Sequence, residues 1–308
     1  MSALRIVSLL PSSTEIVCAL GLEEQLVGRS HECDFPASIA DRPTLTRSRV
    51  SLPPSSAEID RNVREMLRDV LAVYEIDEVA LGELAPTLIV TQDLCDVCAV
   101  SFDDVLAATQ RLACDDTQIL SLRPTRLEHV LEDLRRVGAA TGREQRAHDV
   151  VAGLQARLDA LAARSAQLDT RPSVLTVEWV EPLMVGGTWM PQLVEIAGGR
   201  ALCATTGEPA PTLSDAELDE LAPDVVLVKP CGFDLARSNQ ELHVIRAKLM
   251  QRDWPAVRHG RVFLSDGNAY FNRPGPRLVE SAEILAACLH PAAFPELVER
   301  HAAAVQQL

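Results

Sequence analysis

Two stretches of the sequence nearly repeat each other, and this pair constrains the fold more than any other feature. The first reads Leu84-Ala-Pro-Thr-Leu-Ile-Val-Thr-Gln92, and the second reads Leu221-Ala-Pro-Asp-Val-Val-Leu-Val228. In each stretch a helix end and a proline are followed by four or five apolar, mostly branched residues. Such a short continuous run is typical of a strand buried on both faces of a parallel sheet. The pair therefore predicts two parallel sheets in two halves of similar build.

The alternation of strands and helices supports this prediction along the whole chain. It begins near Arg5 and begins again near Ser173. Between them the pattern is helical, and Gly142 separates two helices, of which the second runs from Glu144 to Leu168. At 1.5 Å per residue this second helix would span roughly 37 Å, which is enough to bridge two lobes. The alternative is one more packing helix in a single domain.

The predicted fold class is α/β, with two Rossmann-like lobes that have parallel sheets, one long connector helix and a ligand cleft between the lobes. The predicted boundaries are 1–125 for the amino-terminal lobe, 126–171 for the helical connector and 172–308 for the carboxyl-terminal lobe. Polar residues 37–55 are predicted to form a surface loop.

Charge and the amino terminus restrict the partners and the location. The net charge is −15, which argues against nucleic acid and against an anionic membrane surface. No apolar run approaches about 18 residues, so we expect no membrane insertion. The sequence begins without a charged leader and an apolar core, which predicts a cytoplasmic protein, or a periplasmic one if the sequence is a trimmed form.

Cysteines follow both repeated strands. Cys95 and Cys98 come after the first strand and Cys231 after the second, at the strand ends where open α/β sheets bind ligands. With Cys33, these thiols are candidate metal ligands, and such a set favours zinc, copper(I) or an iron–sulfur cluster. Cysteine is also a common small buried residue, which is the alternative for each of them. Packing roles are assigned to the remaining four, Cys18, Cys114, Cys203 and Cys288.

Candidate ligand-binding residues stand in the same kind of position, after predicted strands. Planar apolar walls suit a corrin or porphyrin ring, and polar groups would fix its substituents. The alternatives are burial in the core for the aromatic residues and loop capping for the first two polar ones. The candidates are His31, Glu32, Gln92, Trp179, Trp189, Asn268 and Tyr270.

Helix starts at Ser12-Ser13 and at Thr188 could also present N–H groups to a carboxylate or phosphate. The sequence contains no Gly-rich phosphate loop of the Gly-x-x-x-x-Gly-Lys type, no Gly-x-Ser-x-Gly elbow and no His-Glu-x-x-His zinc motif, so none of those enzyme classes is indicated.

Several of these segments together resemble a known family. The opening Arg5-Ile-Val-Ser-Leu-Leu-Pro-Ser-Ser-Thr-Glu-Ile-Val-Cys-Ala-Leu-Gly21, the pair Gly198-Gly199, the second repeat and the late Arg261-Val-Phe-Leu-Ser265 are similar to the helical-backbone (class III) ABC-transporter solute-binding proteins. The resemblance is to the branch that binds vitamin B12, siderophores and haem. It implies a two-lobed ligand trap with a cobalamin-like corrinoid or metal chelate as ligand and an ABC permease as partner.

The sequence thus favours a non-catalytic binding protein for a small molecule. The alternative is a cytoplasmic metal- or cluster-dependent enzyme that uses the cysteines with His31, and with Glu32 or Asp34 as proton carrier. A structural interaction module is the third possibility.

Overall fold

The computed structural model describes residues 3–48, 55–68, 74–92, 106 and 117–308. Cys95, Cys98 and Cys114 lie outside the described residues, as does the helix start that the sequence Ser101-Phe-Asp-Asp104 predicts. The chain divides into two compact units. The first comprises Met1–Pro54, Glu58–Pro124 and Glu128–Ala152, and the second comprises Ser55–Ala57, Thr125–Leu127 and Gly153–Leu308. The boundaries expected at 125 and 171 stay a prediction.

The first unit contains a four-stranded parallel sheet in the order β2-β1-β5-β6, together with the antiparallel pair β3–β4. The elements up to residue 165 are β1 (Ile6–Ser8), α1 (Pro11–Ala19), β2 (Leu26–Arg29), β3 (Thr46–Ser48), α2 (Ser56–Arg68), β4 (Tyr74–Ile76), α3 (Glu78–Leu84), β5 (Leu88–Gln92), β6 (Gln118–Leu122), α4 (Leu127–Ala140) and α5 (Glu144–Ser165).

The apolar runs place the strands of this sheet in the interior. All three residues of β1 and all five of β5 are buried, as a strand covered on both faces requires. Gly21, in the left-handed region at φ 73°, follows Leu20, the C-cap of α1, and a side chain at this φ would be strained. The first of the two repeats is thus a helix end followed by a buried strand, as predicted.

The second unit is built around a sheet in the order β12-β11-β10-β7-β8, with β9 also paired to β7. Its elements are β7 (Ser173–Trp179), β8 (Met184–Val185), α6 (Met190–Ile196), β9 (Arg200–Ala201), α7 (Asp215–Asp219), β10 (Val225–Val228), α8 (Leu235–Gln240), α9 (Leu242–Leu249), α10 (Pro255–Arg258), β11 (Val262–Ser265), α11 (Leu278–Leu289), α12 (Pro295–Arg300) and β12 (Val305–Gln307).

The central strands β7, β10 and β11 run parallel, and the second repeat supplies the fully buried β10. The predicted parallel sheet also has short antiparallel margins, where β8 pairs with β7 and β12 with β11. These strands have two and three residues, which is too short to leave a period in the sequence.

The long helix α5 has 22 residues. Its alanine- and leucine-rich, proline-free sequence has high helix propensity. Glu144 in its first turn and Arg164 in its last turn also complement the helix dipole. Residues up to Ala152 belong to the first unit and those from Gly153 to the second, so the prediction of one long helix that joins two α/β units is confirmed.

Two other predictions are corrected. Residues 37–55 were expected to be loop, but β3 lies within them and pairs with β4. The sequence pattern predicts a single helix from Asn239 to Gln251, but the structure has the consecutive helices α8 and α9, with Glu241 between them. No helix within the described ranges is both long and apolar enough to span a bilayer.

Candidate functional site

The carboxyl ends of parallel strands meet at one edge of a sheet, and in this fold class that edge binds ligands. We call the segments after β1 and β2, together with the end of β5, the first edge; it includes residues 9–14, 30–34 and 92. We call the end of β7 (178–179) and the loops after β10 and β11 the second edge; they include residues 229–233 and 266–273. Each edge is described within its own unit.

Buried hydroxyl groups connect two loops of the first edge. Ser8 and Ser13 join their hydroxyls at 2.5 Å, and Thr14 Oγ1 donates to Ser8 Oγ at 2.7 Å. The Ser13 hydroxyl also donates to the Leu10 carbonyl at 3.0 Å. Thr14 Oγ1 lies 3.0 Å from Cys33 Sγ, which ties the start of α1 to the loop after β2. All of these polar side chains are buried and neutral.

The predicted ligand residues of the first edge occupy different environments. His31 is exposed, and its Nδ1 lies 2.7 Å from Thr46 Oγ1. Desolvation of the imidazole lowers the pKa of His31, which favours the neutral ring. Glu32 is half-buried, with its backbone N–H on Ser30 Oγ at 3.3 Å. Gln92 is 5 % exposed at the end of β5.

Aromatic rings form one part of the second edge. The half-buried Trp179 lies with its ring 5.3 Å from that of Phe233, tilted by 60°. The other contact of Phe233 is the Arg237 guanidinium, 4.3 Å from the ring centroid. The indole N–H of Trp179 donates to the Glu181 carbonyl at 3.1 Å. The edge therefore presents a partly exposed indole with an aromatic and a cation behind it.

The loop after β11 adds polar groups beside these rings. Asn268 and Tyr270 are both half-buried. Arg273, 7 % exposed, donates to Asn268 Oδ1 at 2.8 Å. The guanidinium of Arg277 lies 5.5 Å from the centroid of Tyr270, within the range of a cation–π contact. Two arginines thus accompany the two predicted ligand residues.

Trp189 is 6 % exposed, and its indole N–H donates to the Phe271 carbonyl at 2.7 Å. Phe271 itself has a left-handed backbone, with φ 67°, and its N–H donates to Ser281 Oγ at 2.9 Å. A non-glycine residue in this region carries strain of order 1 kcal/mol. The burial of Trp189 favours the alternative role considered for it, that of a core side chain that holds this loop.

A buried lysine lies at the centre of the second edge. Lys229 is 0 % exposed, and its Nζ contacts Glu178 Oε2 at 3.0 Å and Asn272 Oδ1 at 2.7 Å. The amide of Asn272 also donates to the Lys229 carbonyl at 3.1 Å. At Gly267 an added Cβ would lie 2.1 Å from the Pro230 carbonyl oxygen, so glycine permits the close approach of the two loops.

The cysteines expected to bind metal have different surroundings. Cys33 is 2 % exposed inside the first unit, where the hydroxyl of Thr14 contacts its sulfur. Cys231 is half-buried on the second edge, with its N–H on the Glu178 carbonyl at 3.0 Å. Within the described ranges no three His, Cys, Asp or Glu side chains come close enough to bind a metal ion. The zinc or iron–sulfur site has no support there, and Cys95 and Cys98 lie outside those ranges.

The packing roles assigned to other cysteines hold in one case and fail in another. Cys288 is 5 % exposed, and burial raises its pKa to about 12. Cys18 is half-buried in α1, where burial, followed by the charge of Glu23, raises its pKa to about 12. Cys203 is exposed and has a positive φ of 62°, so the packing prediction is wrong for this residue.

The sequence prediction missed three residues that build the second edge, Lys229, Phe233 and Arg273. Each follows β10 or β11, and the strand-end rule that selected Cys231 and Tyr270 would have included them. A lysine next to a buried strand suggests a solvent-exposed loop, whereas the structure encloses it.

The whole chain is similar to known binding proteins. The family model described as "Periplasmic binding protein" matches residues 6–269. The vitamin B12-binding protein of Photorhabdus laumondii is 24 % identical over 285 residues, which cover 92 % of this chain and 86 % of that protein. An uncharacterised ABC transporter substrate-binding lipoprotein of Bacillus subtilis is 24 % identical, covering 95 % of this chain and 82 % of its own.

Solved structures agree on the fold. The periplasmic haem-binding protein of Roseiflexus sp. RS-1 in apo form superposes with a TM-score of 0.69 at 22 % identity, covering 95 % of this chain and 100 % of that one. The periplasmic vitamin B12-binding protein of Vibrio cholerae gives a TM-score of 0.64 at 18 % identity, with 94 % and 97 % covered. From the match over residues 6–269 and the two-unit α/β architecture it follows that the chain belongs to the periplasmic binding protein family.

Proposed function

We propose that this protein binds a cobalamin-like corrinoid or another metal chelate, such as haem or a ferric siderophore, without transforming it. The curated relative from P. laumondii is a B12-binding protein, and the similar structures include haem- and B12-binding proteins. Family membership supports a binding role for the chain, and the chemistry of the second edge supports this class of ligand.

The observation that carries the proposal is the half-buried Trp179, which packs against the tilted ring of Phe233 at the second edge. A partly exposed indole with an aromatic ring behind it offers a flat apolar surface to a large ring. Tyr270 and Asn268, on the loop after β11, add a second ring and an amide. Arg277 adds positive charge beside Tyr270, which suits the acidic substituents that such ligands often carry.

Absorbance titrations with cyanocobalamin, haemin and a ferric hydroxamate test the proposal, because each ligand has a strong visible spectrum. We expect one of them to bind and Trp179→Ala to weaken that binding about tenfold, the equivalent of roughly 1.4 kcal/mol. Trp179→Phe should retain most of the affinity. Val298→Ala, which truncates an exposed apolar side chain on α12, is the control and should bind as the wild type does. Unchanged binding in Trp179→Ala would contradict the proposed surface.

The proposal includes delivery of the ligand to an ABC permease, supported by the B. subtilis relative, which is a transporter lipoprotein by name. The location is tested by fractionation of cells that express the full-length gene. Recovery from the cytoplasm would support the location expected from the amino-terminal sequence and would argue against delivery. Recovery outside the cytoplasm would favour delivery.

The metal-dependent enzyme has no specific support among the described residues, since Cys33 is enclosed in the core of the first unit. Metal analysis of protein purified without oxygen decides the matter. Stoichiometric zinc or iron that is lost in Cys95→Ser would replace the binding proposal with the enzyme.

A further inference from the structure

We propose that the amino-terminal end of α1 is a binding site for an acidic group, a carboxylate or a phosphate. The inference deepens the proposed function, on which it rests insofar as the acidic group belongs to the bound ligand. The site gives the first edge the role of binding an acidic group, whereas the second edge supplies aromatic surface.

The start of α1 leaves backbone donors without acceptors. Leu10, the residue before the helix, is extended and gives no side-chain cap, and the first turn contains no acidic residue. The first intrahelical bond runs from Thr14 N–H to the Leu10 carbonyl at 3.2 Å. The N–H groups of Ser12 and Ser13 have no acceptor within the part of the chain that the structure describes. Helix ends of this kind attract anions through these N–H groups and the helix dipole.

The Ser12 hydroxyl is the second, independent observation. Ser12 is 2 % exposed, and its Oγ is buried with no hydrogen-bond partner among the described residues. A buried hydroxyl left unbonded costs about 1–3 kcal/mol. The adjacent hydroxyls of Ser8, Ser13 and Thr14 are all bonded to one another or to neighbours. Among these neighbouring hydroxyls Ser12 is the exception, which points to a partner that the described part of the chain does not provide.

Helix geometry places the Ser12 hydroxyl on the same side as the two amides. Every Cα–Cβ bond in a helix is tilted towards the amino terminus, so the first-turn hydroxyl of Ser12 lies beside the free N–H groups. Three donors with no acceptor of their own suit an oxygen that has several lone pairs and a negative charge. The chemistry is that of a carboxylate or phosphate oxygen.

Two other described helix starts, those of α6 and α7, do not offer this arrangement. Ser214 and Glu217 close a capping box at α7, in which both the side chains and the backbone N–H groups are paired. Helix α6, after Thr188, has only seven residues, with a proline in its first turn. The contrast makes α7 a matched control.

Glu15 provides a test of charge. It lies three residues after Ser12, hence on the same face of α1, and is 4 % exposed. The negative charge of its carboxylate weakens the binding of an anion at the helix end. It has little effect on the binding of a neutral acceptor such as an amide. Glu15→Gln should therefore strengthen the binding of an anion.

The experiment measures the binding of inorganic phosphate to the ligand-free protein, by thermal shift and calorimetry, at constant ionic strength set with sodium chloride. We expect saturable binding by the wild type, at least tenfold weaker binding by Ser12→Ala and about threefold tighter binding by Glu15→Gln. Without phosphate, Ser12→Ala should have a Tm no lower than that of the wild type, since it removes a buried unbonded hydroxyl and no hydrogen bond. Ser214→Ala should lower the Tm and leave phosphate binding unchanged.

The absence of saturable phosphate binding, or equal binding by the wild type and Ser12→Ala, would overturn the site and assign the hydroxyl to an ordered water. If Glu15→Gln binds phosphate no more tightly, the proposed preference for a charged group is wrong.

A second arm repeats the titration on protein loaded with whichever chelate binds. Loss of the phosphate response there shows that the ligand's own acidic group occupies the site, whereas a persistent response assigns the site to free phosphate and refutes the link to the ligand. Phosphate binding without binding of any chelate would support the site and refute the proposed function.

Discussion

The polar groups buried at the two sheet edges differ in kind. At the first edge they are neutral hydroxyls and a thiol, joined from Ser8 through Thr14 to Cys33. At the second edge the central group is an ammonium, Lys229, held by the carboxylate of Glu178. The same fold thus fills equivalent positions with different chemistry in its two units.

This difference indicates which interactions stabilise each edge. Neutral hydrogen bonds contribute about 1 kcal/mol each and do not respond to pH in the neutral range. A buried charge depends on its partner, and the loss of that partner costs several kcal/mol. We therefore expect the second unit to be more sensitive to single substitutions and to acid than the first.

The largest effect is expected for Lys229→Met. The change leaves Glu178 and Asn272 without their shared donor, and because Glu178 is partly exposed we expect a loss of about 3 kcal/mol, at the low end for a broken buried pair. Urea unfolding followed by tryptophan fluorescence measures it, since all three tryptophans lie within Gly153–Leu308. Lys248→Met on α9, where the lysine is only half-buried, is the control and should have little effect. A loss of under 1 kcal/mol would contradict the contrast between the edges.

Acid should weaken the second unit through Glu283, in α11. Burial alone would raise the pKa of Glu283, but hydrogen bonds from His301 and Arg157 outweigh it and lower the pKa to about 2. Because the folded pKa lies below the ordinary 4.5, the stabilisation is complete above pH 4.5 and is lost as the pH falls towards 2. We expect about 2 kcal/mol after allowance for the half-exposed Arg157.

Urea unfolding at a series of pH values from 6 to 2.5 measures how the free energy of unfolding falls with acid. Glu283→Gln should be less stable than the wild type at pH 6, and the difference should narrow with acid. Parallel pH profiles for the two proteins would rule out this role for Glu283.

The smallest effect is expected at the first edge, for Ser8→Ala. Its hydroxyl bonds to Ser13, Thr14 and the Leu10 carbonyl, but Thr14 and Ser13 keep other partners, so we expect a loss of about 1.5 kcal/mol. Hydrogen exchange of the β1 and α1 amides detects it. The loss should be the same at pH 5 and pH 7, and a strong pH dependence would erase the distinction between the two edges.

The sequence predicted the fold because the information is local. Continuous apolar runs such as Val225–Val228 mark buried strands, and Gly142, at φ 66°, marks the boundary between two long helices. The general position of the candidate site also followed, since strand ends can be located from those runs. Short elements such as β8 and β12 were missed because two or three residues carry no period.

The details of the site depend on contacts distant in sequence. The burial of Lys229 requires Glu178, 51 residues earlier, and Asn272, 43 residues later. The burial of Cys33 depends on Thr14, 19 residues before it. No local sequence pattern distinguishes a buried cysteine of this kind from a metal ligand. The exposure of Cys203 could not be predicted from a local pattern either.

The backbone of Phe271, fixed by Trp189 on its carbonyl side and by Ser281 on its amide side, has a consequence for recognition. Because both bonds are made by the chain's own groups, the segment that carries Asn268 and Tyr270 is pre-organised. Little conformational entropy is then lost when a guest arrives, and affinity gained in this way needs no additional contact.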